Sequence, residues 1–237
     1  MNLPSVSIII PTLNEEHYIG KTLKSVIDQT YKGKYEIIVA DGNSNDNTVN
    51  IARKYTDNII ASKKKGIARG RNAGASIATG DILLFCDADT VLMPNTVYEL
   101  VKPFLKNNCV ATACEIRPLS SKTGDVFLFW LISRCMMLTI KAKKAHIPGI
   151  CFACSHEAFR KANGFNEQIH NIDDLDFSMR LNKIGDIVFT NKTAALTSMR
   201  RFEKLGRIKS LALYSKVYVD YHFKKENFSS KKFIPIR

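Results

Sequence analysis

Apolar runs of strand length alternate with helically spaced apolar residues through the first hundred positions of the chain. Val6-Ser-Ile-Ile-Ile-Pro11 is nearly continuous in β-branched residues, the mark of a strand buried on both faces, and Pro11 ends it. Asn14 is placed to cap a helix, with Glu15 and Glu16 in its first turn and Ile19, Leu23, Val26 and Ile27 at helical spacing. Tyr35-Glu-Ile-Ile-Val-Ala40 is a second buried strand. It runs into a polar loop, Asp41 to Thr48, suited to cap a helix bearing Val49, Ala52 and Tyr55. Ile59-Ile60 reads as a short strand, 66–78 as a small-residue helix and 81–87 as another buried strand. Strands alternating with helices predict βαβ units, hence an α/β fold with a Rossmann-like, mainly parallel sheet flanked by helices.

The pattern changes after residue 108. Residues 109–116 and 146–155 read as strands, with a short helix running to Asn163-Gly164. Asp173 opens a helix that stops at Gly185, two short strands follow at 187–189 and 194–196, and a basic amphipathic helix runs from Leu205 to about Lys224. Between them, 126–140 is apolar on nearly every side, broken by Ser133, Arg134 and Thr139. Fifteen residues at ~1.5 Å each reach about 22 Å, short of the ~30 Å hydrocarbon core of a bilayer. A core helix is the first reading; the second is an interfacial helix on anionic lipid beside Lys141, Lys143 and Lys144. No repeat or linker-like tract divides the chain, so a single domain over 1–237 is expected.

Composition changes this picture in two ways. The net charge of +13 is uneven: residues 200–237 hold eleven Lys/Arg against three Asp/Glu, which favours an anionic partner or a solvated basic tail. Exposed aromatics do not interleave with these cations, so no nucleic acid is expected. The six cysteines lack framework spacing, and the lone Cys151-Phe-Ala-Cys154 lies in an apolar strand. Reduced thiols, and an N-terminus without a signal-peptide pattern, point to the cytoplasm.

Candidate chemistry gathers at strand ends. Thr12, Asn14, Asp41, Asp87 and Asp89 all follow buried strands, and ligands of such sheets bind beyond the strands' carboxyl ends. If the strand from 81 continues through Asp89, the carboxylates at i and i+2 share a side and suit Mg²⁺ or Mn²⁺ holding a phosphate. The plainer alternative is an Asp-rich turn before a helix at Pro94. Asp173, Asp174 and Asp176, beside His170, form a second acidic cluster. Helix-end electrostatics accounts for one or two carboxylates there, and a third is free to act as a general base toward an acceptor hydroxyl.

Taken in order, these segments resemble the family 2 glycosyltransferases, nucleotide-sugar-dependent enzymes of the GT-A fold, over about residues 5–200. Ser7-Ile-Ile-Ile-Pro-Thr-Leu-Asn-Glu-Glu16 is similar to the family's opening strand and loop, which places Pro11, Thr12, Asn14 and Glu15 at the donor. Asp41 matches the aspartate that contacts the base, commonly uracil. Arg69-Gly-Arg71-Asn72-Ala-Gly74 resembles the A-R-N-x-G segment and turns Arg71 to the nucleotide. Asp87-Ala-Asp89 matches the D-x-D motif, with Asp89 the metal ligand and Asp87 at the ribose or the metal. Gly149 to Ser155 is similar to the acceptor-side segment. Asp173-Asp174-Leu-Asp176 resembles E-D-x-D, with Asp173 in place of Glu and Asp174 as catalytic base. Met199 to Gly206 looks like a segment in which an arginine, here Arg200, faces the diphosphate. No His matches the further metal ligand of some relatives.

The resemblance implies a nucleotide-sugar-binding half (about 1–110), an acceptor-side half (about 111–200) and a basic helix and tail (201–237). It also implies a metal-dependent, inverting hexosyltransferase with Mg²⁺ or Mn²⁺, a nucleotide-sugar donor (UDP-sugar favoured) and a glycan acceptor that a lipid can carry. The expected location is the cytoplasm, peripherally on the inner face of a membrane. Two alternatives stand beside it: a polyprenyl-phosphate sugar synthase and a non-catalytic nucleotide- or nucleic-acid-binding module.

Overall fold

In the computed structural model, residues 3–62, 66–106, 108–169 and 172–223 are described. The first half is a run of βα units: β1 (Val6–Thr12), α1 (Ile19–Ile27), β2 (Tyr35–Asp41), α2 (Thr48–Ala52), β3 (Ile59–Ala61), α3 (Ile67–Ser76) and β4 (Ile82–Cys86). Next come β5 (Thr90–Leu92), α4 (Thr96–Val101), β6 (Cys109–Pro118), α5 (Thr123–Lys141), β7 (Cys151–Ser155) and α6 (His156–Lys161). The remainder is α7 (Asp173–Ile184), β8 (Asp186–Thr197), α8 (Arg200–Leu205) and α9 (Arg207–Phe223).

The eight strands form one sheet in the order β3-β2-β1-β4-β7-β6-β8-β5. The four strands of the first half are parallel, as apolar runs without alternation require. Beyond them β7 is antiparallel to both neighbours, β6 and β8 are parallel, and β5 is antiparallel to β8. The sheet must curl: the short link from Cys86 to Thr90 covers at most about 15 Å, whereas four strand spacings of ~4.8 Å make about 19 Å laid flat. Curling brings β5 and β8 back toward the carboxyl ends of β1, β2 and β4.

Alternate residues of β1 feed two cores. Ile8 and Ile10 pack with Leu23, Val26 and Leu84 on one face. Ile9 joins Phe85, Phe152, Phe165 and Phe177 on the other, where the Phe165 and Phe177 rings lie 4.2 Å apart. Gly80 lets β4 start hard against β1: a Cβ there would sit 2.5 Å from the backbone nitrogen of Ser7 and 2.7 Å from the carbonyl carbon of Val6. Gly80→Ala is therefore expected to cost about 1–3 kcal/mol in denaturant melts, the range of overpacked sites; a change within ~0.3 kcal/mol would show that the two strands part easily.

Several expectations are corrected. Pro11 does not end β1, which continues to Thr12. The missing N–H points toward β4, whose pairing with β1 stops at Ile9, so no ladder bond is lost. Asn14 caps no helix: it is left-handed (φ 54°), and α1 starts at Ile19 after a separate turn. Ile27, expected on the apolar face of α1, is exposed. Residues 146–150 are not strand, because Pro148 and Gly149 turn the backbone toward α7, where the Ile147 N–H donates to Ser178 Oγ. The two short strands near 190 are one strand, β8, with a register shift against β6. The helix expected from 205 is broken at Gly206, in the left-handed region at φ 82°. The helix expected at 126–140 has nineteen residues, so the shortfall against a bilayer disappears. All six cysteines are free thiols. His170 and the basic tail from 224 lie outside the described residues.

Candidate active site

Asp87, Ala88 and Asp89 form a turn, not the end of a strand. β4 stops at Cys86 opposite Cys151, the Asp87 N–H donates to the Ile150 carbonyl (2.9 Å), and the Thr90 N–H donates to the Asp87 carbonyl (3.1 Å) as the chain leaves for β5. The two carboxylates therefore take different partners. Asp87 Oδ1 accepts from Arg71 Nη2 at 3.1 Å. Asp89 Oδ2 accepts from Ser198 Oγ and lies 3.1 Å from Arg200 Nη2.

Arg71 is the hub. It is 2 % exposed, held on α3 over the ring of Phe165, and donates to Asp87, to Asp173 Oδ2 (2.8 Å) and to the Gly149 carbonyl (2.7 Å). Gly149 is needed for that approach, because a Cβ there would fall 2.1 Å from Arg71 Nη2. Burial pushes the Asp87 carboxyl up to about 6 against the pull of Arg71, with Asp89 adding to the push; the 24 % of its side chain that reaches solvent moderates this. Asp173 is likewise raised by burial to about 6, opposed by Arg71 and reinforced by Asp174. One guanidinium thus balances two crowded carboxylates from segments 102 residues apart from Asp173 and 16 from Asp87.

The acidic start of α7 divides its work. Asp173 pairs with Arg71. Asp176 accepts from Arg180 (2.6 and 2.9 Å) and from the Tyr221 hydroxyl on α9 (3.1 Å), a structural tie between helices. Among the described residues Asp174 pairs with no cation: its Oδ2 accepts from the Gly149 N–H (2.9 Å) and its Oδ1 from the Leu175 N–H (2.8 Å). Partly exposed, it faces the 146–150 loop beside the Arg71 cluster, oriented by two backbone donors.

The donor-side residues sit at the carboxyl ends of β1 and β2. Thr12 is opposite Asp41 in register, and the Gly42 N–H donates to the Thr12 carbonyl. Pro11 packs on Gly70 of α3. Asp41 accepts from the Asn43 and Ser44 N–H groups and the Ser44 hydroxyl, and borders a cleft of about 480 Å³ with Val49, Arg53 and Ile59. Asn14 crosses to the same loop, donating from its N–H to Ser44 Oγ and accepting the Asn45 N–H. Glu15 accepts a two-pronged ion pair from Arg200 (2.6 and 2.8 Å), which lies over the Tyr18 ring. Arg200 thus joins Glu15 to Asp89. Two buried polar atoms in this region, Thr12 Oγ1 and Arg71 Nε, have no partner among the described residues. Ser198 and Tyr18 escaped the sequence reading, because a lone Ser or Tyr carries no spacing signal and their partners are far along the chain.

A divalent cation can be tested against these residues. One oxygen on each motif carboxylate, Asp87 Oδ2 and Asp89 Oδ1, carries no hydrogen bond among the described residues. No cluster of three His, Cys, Asp or Glu side chains forms a full protein cage among them. Two hard oxygens with no further ligand fit a cation that keeps water and phosphate oxygens around it, as Mg²⁺ does.

Comparison with known proteins bears on family and fold. The family model "Glycosyl transferase family 2" matches residues 7–167. Chondroitin synthase of Pasteurella multocida (strain Pm70) is 30% identical over 199 residues, covering 80% of this chain and 20% of its own length. The Escherichia coli UDP-Glc:alpha-D-GlcNAc-diphosphoundecaprenol beta-1,3-glucosyltransferase WfgD is 36% identical over 107 residues, 44% of this chain and 42% of that one. The chain therefore spans a fifth to under a half of these relatives. Among solved structures, the mannosyltransferase PcManGT from Pyrobaculum calidifontis, in complex with GDP-Man and Mn2+, superposes with a TM-score of 0.76 at 21% identity, over 98% of this chain and 67% of that one. The fold is that of the GT-A glycosyltransferases.

Proposed function

The chain belongs to glycosyl transferase family 2, and from that premise we propose that it moves a hexosyl group, with inversion, from a nucleotide sugar to a hydroxyl of a glycan. The observation that carries this reading is the Arg71 cluster. Through Asp87, Asp173 and the Gly149 carbonyl it holds the D-x-D turn and the start of α7 around one space, with Asp174 on the Gly149 N–H. Residues up to about 110 form the donor side, and 111–200 supply the acceptor side.

In this reading Thr12 and Asp41 receive the nucleoside, and Arg200 is poised to turn from Glu15 to the diphosphate. Asp89, with Asp87, would hold Mg²⁺ or Mn²⁺, and the cation would offset the charge of the departing nucleoside diphosphate. Asp174 takes the proton of the acceptor hydroxyl as its oxygen bonds to the anomeric carbon. The bond from that carbon to the diphosphate breaks on the opposite face, and its electron pair leaves with the nucleotide. UDP-sugars are the favoured donors, in keeping with the name of the WfgD relative, and that name also supports an acceptor carried on a lipid diphosphate. A lipid-borne acceptor keeps the protein at the cytoplasmic face of a membrane.

The test is a thermal-shift panel of nucleotide sugars with and without Mn²⁺. At a hundredfold excess over Kd, a bound donor stabilises by about 2.7 kcal/mol, a rise of roughly 5–10 °C at this size. Asp89→Ala is expected to remove the Mn²⁺-dependent part of that rise. A panel without any shift would overturn the donor assignment, and an unchanged Mn²⁺ effect in Asp89→Ala would overturn the metal assignment.

A further inference from the structure

We propose that the outward face of α5 is a docking surface for an anionic lipid bilayer. The helix is built inside out. Two of its polar side chains face the protein: Asp125 pairs with Arg207, and Ser133 both donates to and accepts from the Ile116 backbone on β6; Arg134, on the outward side over the Trp130 ring, reaches Glu115. The face turned to solvent carries Phe127, Trp130, Leu131 and Leu138, which are 61%, 52%, 41% and 59% exposed. Their spacing places them on one stripe of the helix, and the Phe127 and Trp130 rings stack at 5.8 Å. A helix at the surface of a water-soluble domain normally carries its charges on that side. On α9, Ile208 is likewise exposed, at 83%. A contiguous exposed patch of this kind marks a binding surface.

Charge identifies the occupant. Lys122 precedes α5, Lys141 is its last residue and Lys144 follows, while Lys143 is paired with Asp186 and the stripe itself bears no carboxylate. Cations at both ends of an apolar, Trp-bearing stripe suit a helix lying among anionic headgroups. By length and composition α5 could cross a bilayer. Its inner face is instead packed into the protein through Phe129, Met136 and Ile140, which leaves it to lie along the membrane plane. A second copy of the chain would bring the same lysines against these ones, on a protein of net charge +13.

This docking deepens the reading of a lipid-borne acceptor and rests on it only for its purpose, since vesicle binding needs no donor. Trp130 is the sole tryptophan, so its emission reports on this face of the full chain. Vesicles of phosphatidylcholine with phosphatidylglycerol are expected to shift that emission to the blue. Brominated acyl chains should quench it, and high salt should release the protein; phosphatidylcholine alone should do little. Phe127→Ser with Leu138→Ser should weaken binding at least tenfold, and Lys141→Glu with Lys144→Glu by at least fivefold per lysine lost, from about 1 kcal/mol each. Unchanged emission with both vesicle types would overturn the docking surface. So would binding that survives the double Ser variant, which would assign it to the basic C-terminus, or a dimer that this variant disperses. The donor-induced thermal shift, measured in parallel, separates failure of docking from failure of the transfer reading.

Discussion

Asp174→Asn is expected to lower sugar transfer by about 10²–10⁴-fold, the range lost with a general base, while donor binding stays within a few fold. Asn preserves the size of the side chain and one carbonyl oxygen for the Gly149 or Leu175 N–H, so the start of α7 keeps its place. What it loses is the ability to take a proton. Initial rates at saturating donor measure the first quantity, and the thermal shift with nucleotide sugar measures the second. Transfer within threefold of the wild type would remove Asp174 from its role. It would favour an acceptor that arrives already ionised, as a polyprenyl phosphate does.

Arg71→Met is expected to be the most destabilising single change in the site. It removes the cation shared by Asp87 and Asp173 and strands both carboxylates where burial already raises them to about 6. Breaking a buried ion pair from one side costs about 3–5 kcal/mol, or roughly 6–20 °C in Tm at this size. The pH dependence has a definite sign. Without Arg71 the folded-state pKa of Asp173 rises further above its unfolded value, so the folded state holds the extra proton. Stability is then retained at low pH and lost as pH rises through the raised pKa, and the deficit of Arg71→Met should be smaller at pH 5 than at pH 8. Adding Asp173→Asn should recover part of the loss. Equal melting of Arg71→Met and wild type would show that the cluster contributes little to the fold.

The parallel half of the sheet was legible because β1, β2 and β4 are apolar without alternation, and a strand buried on both faces leaves that mark. The acidic pairs were legible as residues but not as geometry. Periodicity within one segment placed Asp87 and Asp89 on a common side, whereas their orientation is set by partners far along the chain: Ser198, 109 residues from Asp89, and the Arg71 cluster. The 146–150 loop departs from the strand its composition suggests for a related reason. Its apolar residues suit a strand, but the Gly149 carbonyl is claimed by Arg71 and its N–H by Asp174. Composition also hid the orientation of α5. A helix apolar on all sides gives no moment from which to read its buried face, and Asp125 and Ser133 point inward only because Arg207 and Ile116 wait there.

The curl that returns β5 to the D-x-D turn also orders events in time. β5 follows β4 almost at once in the chain, yet among the described residues its only strand partner is β8, so the pairing of Thr90 with Thr197 closes a loop of more than a hundred residues. Pairings of such high contact order form slowly, and a chain emerging from the ribosome cannot make this one before residue 197 is out. The parallel strands β1 to β4 can associate well before that. Asp89, clamped by Ser198 and Arg200, is then among the last parts of the molecule to be set in place. A nascent chain would be a folded but open half-sheet until its last strand arrives, and the capacity to hold a donor would mark the completion of folding.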